Sequence, residues 1–307
     1  MKLKNRNGLL EIYRLLFCFW VMHHHDFFFL ENDGSAFSVA PLAVDFFFVL
    51  SGFFLIRSMR KKAETSPLLG AKEMMWGRLK PIFFSMVFIA TFNGVCMALF
   101  IREDIWGVLF QIFCYWWYVL YLVIAIGVIY LLYRLAKNEK NFAIMLVVLA
   151  VSMGLFHYAM EEKDFFIQEF TYAARTFGCL SVGMLISYVP RWEMKKFNWN
   201  IPLVLLLIPT IFYFAYNEKT YWICLAMIGM FAALIYFTSN ISLQGKFFDC
   251  VGQLSTRMYL YMSFVSMLCV LGLTQHRVLF VINVALAVMD LILATYRKKY
   301  ETLKKAA

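Results

Sequence analysis

Ten long runs of apolar residues, separated by short polar segments, occupy most of this 307-residue chain. A helix needs about 20 mainly apolar residues to cross the hydrocarbon core of a bilayer. Hydrophobic residues make up 63% of the chain and charged residues 16%, against roughly 45–50% and about 25% in soluble domains. A soluble globule of this size could not bury so much apolar surface, so the sequence predicts an integral membrane protein and excludes a disordered or collagen-like chain.

We expect every run to form a helix, because backbone groups in hydrocarbon must be hydrogen-bonded within their own segment. The predicted fold is therefore all-α, a polytopic bundle of about ten transmembrane helices that forms a single integral membrane domain over residues 1–307. The spans are predicted near residues 10–29, 41–59, 81–101, 113–133, 142–158, 171–189, 199–216, 221–239, 248–272 and 277–296. Residues 105–118 could instead form a separate re-entrant or interfacial piece.

Positive charge predicts the orientation of this bundle, because Lys and Arg concentrate in cytoplasmic segments. If the N-terminus is cytoplasmic and ten spans follow, 22 of the 29 Lys and Arg residues lie in cytoplasmic segments and 4 in external ones. The other three, Arg14, Arg175 and Arg257, fall within spans. Both termini are therefore predicted to be cytoplasmic. The same bias accounts for the net charge of +10, so no nucleic-acid partner is expected.

Ionisable residues inside the first two spans are costly there and point to a functional site. Arg14 and His25 are eleven residues apart, about three helical turns, so they share one face of the first helix. His25 and Asp45 each lie about four residues from the external surface, which places them in one depth layer. A carboxylate can fix the tautomer of a neutral imidazole and stabilise the imidazolium, which suits a general base that deprotonates a hydroxyl.

A layer of positive charge is predicted further toward the cytoplasm, where Arg14 and Arg57 lie at one level and Arg78 and Lys80 precede the third span. Guanidinium and ammonium groups bind phosphates. Roles outside catalysis and binding stay open for these residues. Arg14 and His25 could be snorkelling side chains, the 57–80 loop could reflect the ordinary cytoplasmic bias, and Asp45 could form a structural salt bridge with an intramembrane arginine.

Three further residues are weaker candidates. Arg175 and Arg257 could be structural or could bind an anionic group, and Trp117 could stack on a sugar or serve only in packing. No metal site is expected, because neighbouring histidines in a helix diverge by about 100° and His23–His25 lack further ligands at a convincing spacing. The chain also has no P-loop, GxSxG or HExxH motif.

These residues resemble the motifs of the acyltransferase 3 family of integral membrane acyltransferases, most of which modify carbohydrates. Arg14 and His25 match the arginine, ten intervening residues and histidine of its first helix. Val44–Phe53 is similar to its V-D-x-F-F-V-x-S-G-F stretch, and Arg78–Pro81 resembles its R-x-x-P segment. Two later segments resemble its R…F-x-x-G-x-L and G-x-x-S-x-x-x-Y-L patterns, namely Arg175 through Leu185 and Gly252 through Tyr261.

The resemblance implies transfer of an acetyl or other short acyl group from cytoplasmic acyl-CoA to a hydroxyl of a cell-surface or lipid-linked glycan. It also implies the plasma (inner) membrane of a bacterial cell envelope, with membrane lipid around the helices and no permanently bound cofactor; a homo-oligomer is compatible with it. His25 would be the catalytic base and Asp45 would orient it. The CoA phosphates would bind Arg14, Arg57, Arg78 and Lys80, and the acceptor would bind Arg175, Arg257 and Trp117.

Three alternatives to this interpretation stay open. The first concerns the mechanism. Direct transfer is expected because no cysteine or serine nucleophile stands out, and the nearest alternative is Ser51 as a nucleophile. Met75 and Met262 stand where many family members have an arginine and a histidine, so the chain could be an inactive relative that acts in polysaccharide assembly. It could also be a transporter of a polar solute or glycan with Arg14, Asp45, Arg175 and Arg257 along its path, although the paired interrupted helices of transporters are not found.

Overall fold

A computed structural model describes residues 7–24, 43–62, 65–101, 105–160, 165–190, 221–239, 245–274 and 278–306. Within these ranges the chain forms ten α-helices and no strand, which confirms the predicted all-α class for this part of the protein. The helices are α1 (Gly8–His24), α2 (Ala43–Arg60), α3 (Pro67–Leu79), α4 (Phe83–Cys96), α5 (Ile105–Leu135), α6 (Glu139–Met160), α7 (Phe165–Ile186), α8 (Tyr221–Ser239), α9 (Lys246–Val270) and α10 (Leu279–Ala306). A π-helical segment, Met97–Ile101, extends α4.

Apolar helices of membrane-spanning length occur in this described part of the chain. Three windows satisfy both the length and the hydropathy that a span requires: Phe83–Phe100, Trp117–Leu135 and Leu279–Arg297. On α6, a stripe of exposed aliphatic side chains recurs at helical spacing: Ile144, Val147, Val148, Val151 and Leu155. An exposed stripe of this kind needs a non-aqueous neighbour, which lipid supplies. The count of ten spans and the cytoplasmic termini stay predictions.

Several predicted boundaries differ from the observed ones. The segment 57–80, predicted as a loop, contains α3, whose start is marked by Ser66 and by Pro67 at the first helical position. Residues 105–118 are not a separate piece, because α5 runs without a break for 31 residues. The predicted span 199–216 and the end of the first span, residues 25–29, lie outside the described residues.

The chain divides into two compact units that interleave along the sequence. The first unit comprises Met1–Gly34, Ile82–Tyr115 and Ser242–Ala307, and the second comprises Ser35–Pro81 and Trp116–Ile241. Helices α1, α4, α9 and α10 therefore belong to the first unit. Helices α2, α3, α6, α7 and α8, with the greater part of α5, belong to the second.

In the first unit, α9 packs against α1, α4 and α10. Helices α1 and α9 are parallel, because contacts advance together along both of them: Gly8 with Phe248, Glu11 with Gly252, and Arg14 with Thr256. Helix α4 is also parallel to α9, since Phe92 lies against Phe264, with ring centroids 4.5 Å apart, and Met97 packs with Met267 further along both helices.

In the second unit, α7 packs against α2 and α6. Helices α2 and α7 are parallel, because Asp45 pairs with Arg175 and, two turns further along both helices, Gly183 meets the backbone of Phe53. The two helices cross closely, since Gly52 also faces the backbone of Leu180. Small residues at such crossings let membrane helices approach each other. Helix α6 is antiparallel to α7. Within each unit these relative directions are the ones that the predicted alternation of spans requires.

Candidate functional site

A buried ion pair joins α2 to α7. Arg175 Nε donates to Asp45 Oδ1 at 2.5 Å, and Arg175 Nη2 donates to Asp45 Oδ2 at 3.0 Å. The side chains are only 1% and 4% exposed for Asp45 and Arg175. A bidentate, charge-assisted arrangement is the strongest form of this interaction. The structure therefore unites two residues that the sequence assigned to different roles, and Asp45 does have as its partner an arginine from another predicted span.

The ion pair lies in a buried part of the second unit that is rich in aromatic residues. Phe46 and Phe48, which follow Asp45 on α2, are fully buried. The Phe46 ring meets Phe231 of α8 edge-on, with centroids 5.7 Å apart. Exclusion of water lowers the local dielectric constant, which strengthens the attraction and also makes an unmatched charge expensive.

Trp117 of α5 lies against α7 near the ion pair. Its ring stacks on Tyr172, with centroids 4.4 Å apart and an interplanar angle of 22°. Tyr172 precedes Arg175 by three residues, about one helical turn. One face of the Trp117 ring is therefore already covered by protein, so a sugar would have to use its other face or its edge.

Arg14 lies in the first unit, in a polar contact between α1 and α9. Its Nη1 donates to Glu11 Oε2 at 2.7 Å, and its Nη2 donates to Thr256 Oγ1 at 2.8 Å. Gly252 leaves the space that the Glu11 carboxylate occupies, because a Cβ at that position would overlap it. The guanidinium predicted to bind phosphate is thus partly neutralised by Glu11. The sequence contained a signal for this pair, because residues three apart in a helix, such as Glu11 and Arg14, are neighbours on its surface.

Arg257, also in the first unit, pairs with Asp290, a carboxylate that is not among the residues predicted from the sequence. Arg257 Nε lies 3.2 Å from Asp290 Oδ2 on α10. Ser85 of α4 donates to the same Asp290 oxygen at 2.9 Å. Three helices therefore meet at Asp290. The sequence did contain a signal for Asp290, because this is the only acidic residue in the predicted span 277–296.

At the other end of the second unit, a partly exposed cluster joins the ends of α2, α6 and α7. Arg60 Nε donates to Glu139 Oε1 at 2.9 Å, and the Tyr188 hydroxyl donates to Glu139 Oε2. The Arg60 guanidinium also lies 5.7 Å from the centroid of the Tyr188 ring. The hydrogen bond from Arg60 lowers the pKa of the Glu139 carboxyl below its usual range. Glu139 precedes the span predicted from residue 142.

We expect Glu139 to make the stability of the protein sensitive to acid. A carboxyl with a lowered pKa in the folded state contributes stability that is complete above its unfolded pKa, near 4.5, and that is lost as the pH falls through the folded pKa. Lowering the pH from about 6 to about 3.5 should therefore destabilise the wild type more than Glu139→Gln. Thermal unfolding of the detergent-purified proteins tests this, and equal acid sensitivity would contradict it.

Side chains of α5 hold the connection between α2 and α3. The Tyr130 hydroxyl donates to the Lys62 carbonyl at 2.8 Å, and Arg134 Nη1 donates to the Thr65 carbonyl at 2.5 Å. Helix α3 then runs antiparallel to α5, because Gly70 faces Tyr130 and Met75 faces Gly127. The last turn of α3 consequently points away from Arg134.

The three other predicted phosphate ligands also lie in this second unit. Arg57 is exposed in the last turn of α2. Arg78 is half-buried in the last turn of α3, and Lys80 follows that helix and is exposed. Helix α3 therefore determines where Arg78 and Lys80 lie, whereas the sequence predicts a loop for this segment.

Comparison with known proteins adds to this geometry. A family model described as an acyltransferase domain, that of the acyltransferase 3 family, matches residues 7–297. The chain belongs to this family. A search of curated proteins and a search of solved structures each gave no match. Together with its apolar helices, membership identifies the protein as a membrane acyltransferase.

Met75 and Met262, which stand where many family members have an arginine and a histidine, are both packed against other parts of this acyltransferase 3 member. Met75 lies against Gly127 of α5. Met262 is buried within the first unit. Neither position therefore offers a charge or a titratable group to a substrate. Any phosphate-binding role must fall to other cations of the chain.

His25 lies outside the described residues, since α1 is described as far as His24. The predicted proximity of His25 and Asp45 therefore stays a prediction. In the part of the chain that the structure describes, no group of three His, Cys, Asp or Glu side chains is placed to hold a metal ion. The arrangement that the structure does supply is a rigid, dry carboxylate–guanidinium pair on two motif-bearing helices.

Proposed function

We propose that this acyltransferase moves an acetyl or other short acyl group from cytoplasmic acyl-CoA to a hydroxyl of a cell-surface or lipid-linked glycan. The family match over residues 7–297 carries this proposal. The buried contact between Asp45 and Arg175 supports it, because both residues belong to motif segments and are costly to hold in a membrane protein. The proposed location is the plasma (inner) membrane of a bacterial cell envelope.

The proposed reaction is a direct transfer. The acceptor oxygen forms a bond to the thioester carbonyl carbon, the carbon–sulfur bond breaks, and the acceptor proton passes through a base to the CoA thiolate. We propose His25 as this base. Asp45 is its proposed orienting group, since a carboxylate has about four lone-pair sites and Arg175 uses two of them. An Asp45 carboxylate held in place by Arg175 would keep the His25 imidazole in one tautomer.

The proposed donor contacts are ionic. The diphosphate and ribose phosphate of CoA would bind Arg57, Arg78 and Lys80, of which Arg57 and Lys80 are exposed to a ligand. Arg14 is the fourth proposed ligand, although Glu11 already shares its charge. For the acceptor we propose contacts with Trp117, Arg175 and Arg257.

Transfer to glycan can be tested in membranes that contain the protein. Wild type supplied with labelled acetyl-CoA is expected to place label in glycan or glycolipid as an ester that mild alkali releases. Replacing His25 by Ala should reduce this labelling by about 10²–10⁴-fold, the usual contribution of a general base. The matched control is His24→Ala, which removes the neighbouring imidazole and should retain most of the activity.

Three outcomes would each contradict a different part of the proposal. Equal labelling by His25→Ala and wild type would remove His25 from the mechanism. If wild type consumed no short-chain acyl-CoA but carried solute across vesicle membranes without CoA, the transporter alternative would replace the enzyme. Release of CoA thiol without labelled glycan would instead retain the acyltransferase and reject the glycan acceptor.

A further inference from the structure

Two side chains of α5, one turn apart, bind the backbone between α2 and α3. The Tyr130 hydroxyl donates to the Lys62 carbonyl, and Arg134 Nη1 donates to the Thr65 carbonyl. Arg134 Nη1 also donates to the Tyr130 hydroxyl at 3.3 Å, so the two side chains form one hydrogen-bonded group. We call these four residues, Lys62, Thr65, Tyr130 and Arg134, the α5 clasp.

The α5 clasp fixes both the exit from α2 and the entry into α3. Lys62 follows the last residue of α2, and Thr65 precedes the first residue of α3. The backbone there is also bonded internally, because the Thr65 amide and hydroxyl both donate to the Lys62 carbonyl. An ion pair between Lys62 and Glu73 of α3 adds a further tie. The start of α3 is therefore held at a defined place against α5.

Beyond the clasp, α3 is packed on one side only. Ala71 and Met74 belong to one buried apolar cluster with Tyr130 and other side chains of α5. Gly70 lets α3 come this close, because a Cβ there would overlap the Tyr130 hydroxyl. Trp76, on the opposite face, is exposed. The direction of α3 thus depends strongly on how its first turn is held.

The predicted donor cations lie where a change in that direction has the largest effect. Arg78 and Lys80 are at the far end of α3, which has 13 residues and is therefore about 20 Å long. A tilt of about 10° at the clasp would move this end by about 3–4 Å. A displacement of that size breaks a hydrogen bond, whose donor and acceptor lie about 2.7–3.2 Å apart.

We propose that the α5 clasp positions the cations that bind the donor, so that Tyr130 and Arg134 are positioning residues for acyl-CoA. The inference rests on the proposed function, in which Arg57, Arg78 and Lys80 bind the CoA phosphates. Tyr130 and Arg134 act through the placement of α3 and not by touching the donor. Both lie outside the motif segments of the sequence, and only their contacts identify them.

Conservative variants can loosen the clasp without emptying the core. Tyr130→Phe removes the hydroxyl and retains the fully buried ring. Arg134→Gln removes the guanidinium, whereas Arg134→Lys retains an ammonium that can still donate to the Thr65 carbonyl. Tyr133→Phe is the matched control, because it makes the same exchange on the same helix and its hydroxyl bonds to Glu139 instead of the clasp.

The experiment compares acetyl-CoA with S-acetylpantetheine, which has the same thioester but no phosphate. KM and kcat are measured by thiol release in membranes that contain equal amounts of folded protein. Arg134→Gln should raise KM for acetyl-CoA by roughly 10-fold or more, the effect of losing a hydrogen bond to a charged group. Its kcat and its kcat/KM for S-acetylpantetheine should stay within about 2-fold of wild type, because uniform binding alone is lost.

The other variants should form a graded series. Tyr130→Phe should raise KM for acetyl-CoA in the same direction as Arg134→Gln, and Arg134→Lys should lie between Arg134→Gln and wild type. Tyr133→Phe should match wild type with both donors. Where S-acetylpantetheine reacts too slowly to measure, the split between KM and kcat for acetyl-CoA decides.

A clasp with a purely structural role would give a different result. It would lower kcat for both donors together, as the amount of competent enzyme falls, and would leave KM unchanged. That result would overturn the inference, as would wild-type kinetics in both Tyr130→Phe and Arg134→Gln. If wild type releases no thiol from either donor, the proposed function itself fails. Should Arg134→Gln be poorly folded by size-exclusion chromatography, Tyr130→Phe decides the question.

Discussion

Replacing Arg175 by Gln is expected to destabilise the protein by about 3–5 kcal/mol, because it removes one partner of a buried ion pair. Asp45 is 1% exposed and would then carry a charge without its guanidinium partner in a dry environment. Thermal unfolding of detergent-purified protein would measure the loss. Activity should fall with it.

Arg60→Gln provides the control for this prediction. It also removes the arginine of an ion pair, but the side chains of Arg60 and Glu139 are 54% and 43% exposed. Exposed pairs contribute about 0–1 kcal/mol, so Arg60→Gln should alter stability little. A similar loss for both variants would show that burial of the Asp45–Arg175 pair has no special energetic role.

The double variant Asp45→Asn/Arg175→Gln separates structure from chemistry. Removing both charges eliminates the unmatched carboxylate, so most of the lost stability should return. Activity should stay low if Asp45 orients the catalytic base. Recovery of activity together with stability would show that the pair only holds α2 and α7 together.

Replacing Gly183 by Ala is expected to separate α2 from α7. An added Cβ would lie under 3.0 Å from the Val49 carbonyl oxygen, a distance that real Cβ atoms essentially never show. The obstacle is backbone, which cannot rotate aside as a flexible side chain can. We expect a loss of about 1–3 kcal/mol in stability, as for overpacked cores. Activity should fall further, because Asp45 and Arg175 lie on these two helices.

Gly77→Ala is the comparison for Gly183→Ala. Both change a helical glycine, yet a Cβ at Gly77 meets nothing within 4 Å. Gly77→Ala should therefore be neutral or slightly stabilising through helix propensity. Wild-type unfolding and activity in Gly183→Ala would mean that the close crossing of α2 and α7 is not required.

The helices themselves were largely predictable, because the cost of exposing backbone and polar groups to lipid is a local property of each segment. Helix α3 was missed since a short helix with mixed polarity has no membrane-length apolar run, although Ser66 and Pro67 marked its start. Asp45 and Arg175 were singled out as ionisable residues inside spans. A salt bridge between Asp45 and an arginine of another span was one of several alternatives that the sequence left open.

It was harder to predict which side chains contact each other than to single out candidate site residues. Asp45 and Arg175 are 130 residues apart in sequence, and Arg257 and Asp290 come from separate helices. Whether such residues meet depends on how each helix is rotated and on which helices are neighbours. Neither quantity follows from hydropathy or from the positive-charge bias.

Sequence alone determined that this is an all-α membrane protein, because transfer of apolar segments into lipid depends on composition along the chain. The motifs of the acyltransferase 3 family were also readable from the sequence. The tertiary structure alone decided that Arg175 neutralises Asp45, that Glu11 shares the charge of Arg14, and that α3 carries Arg78 and Lys80. These outcomes depend on close helix crossings such as that of Gly52 and Gly183, where the absence of side chains lets two backbones approach.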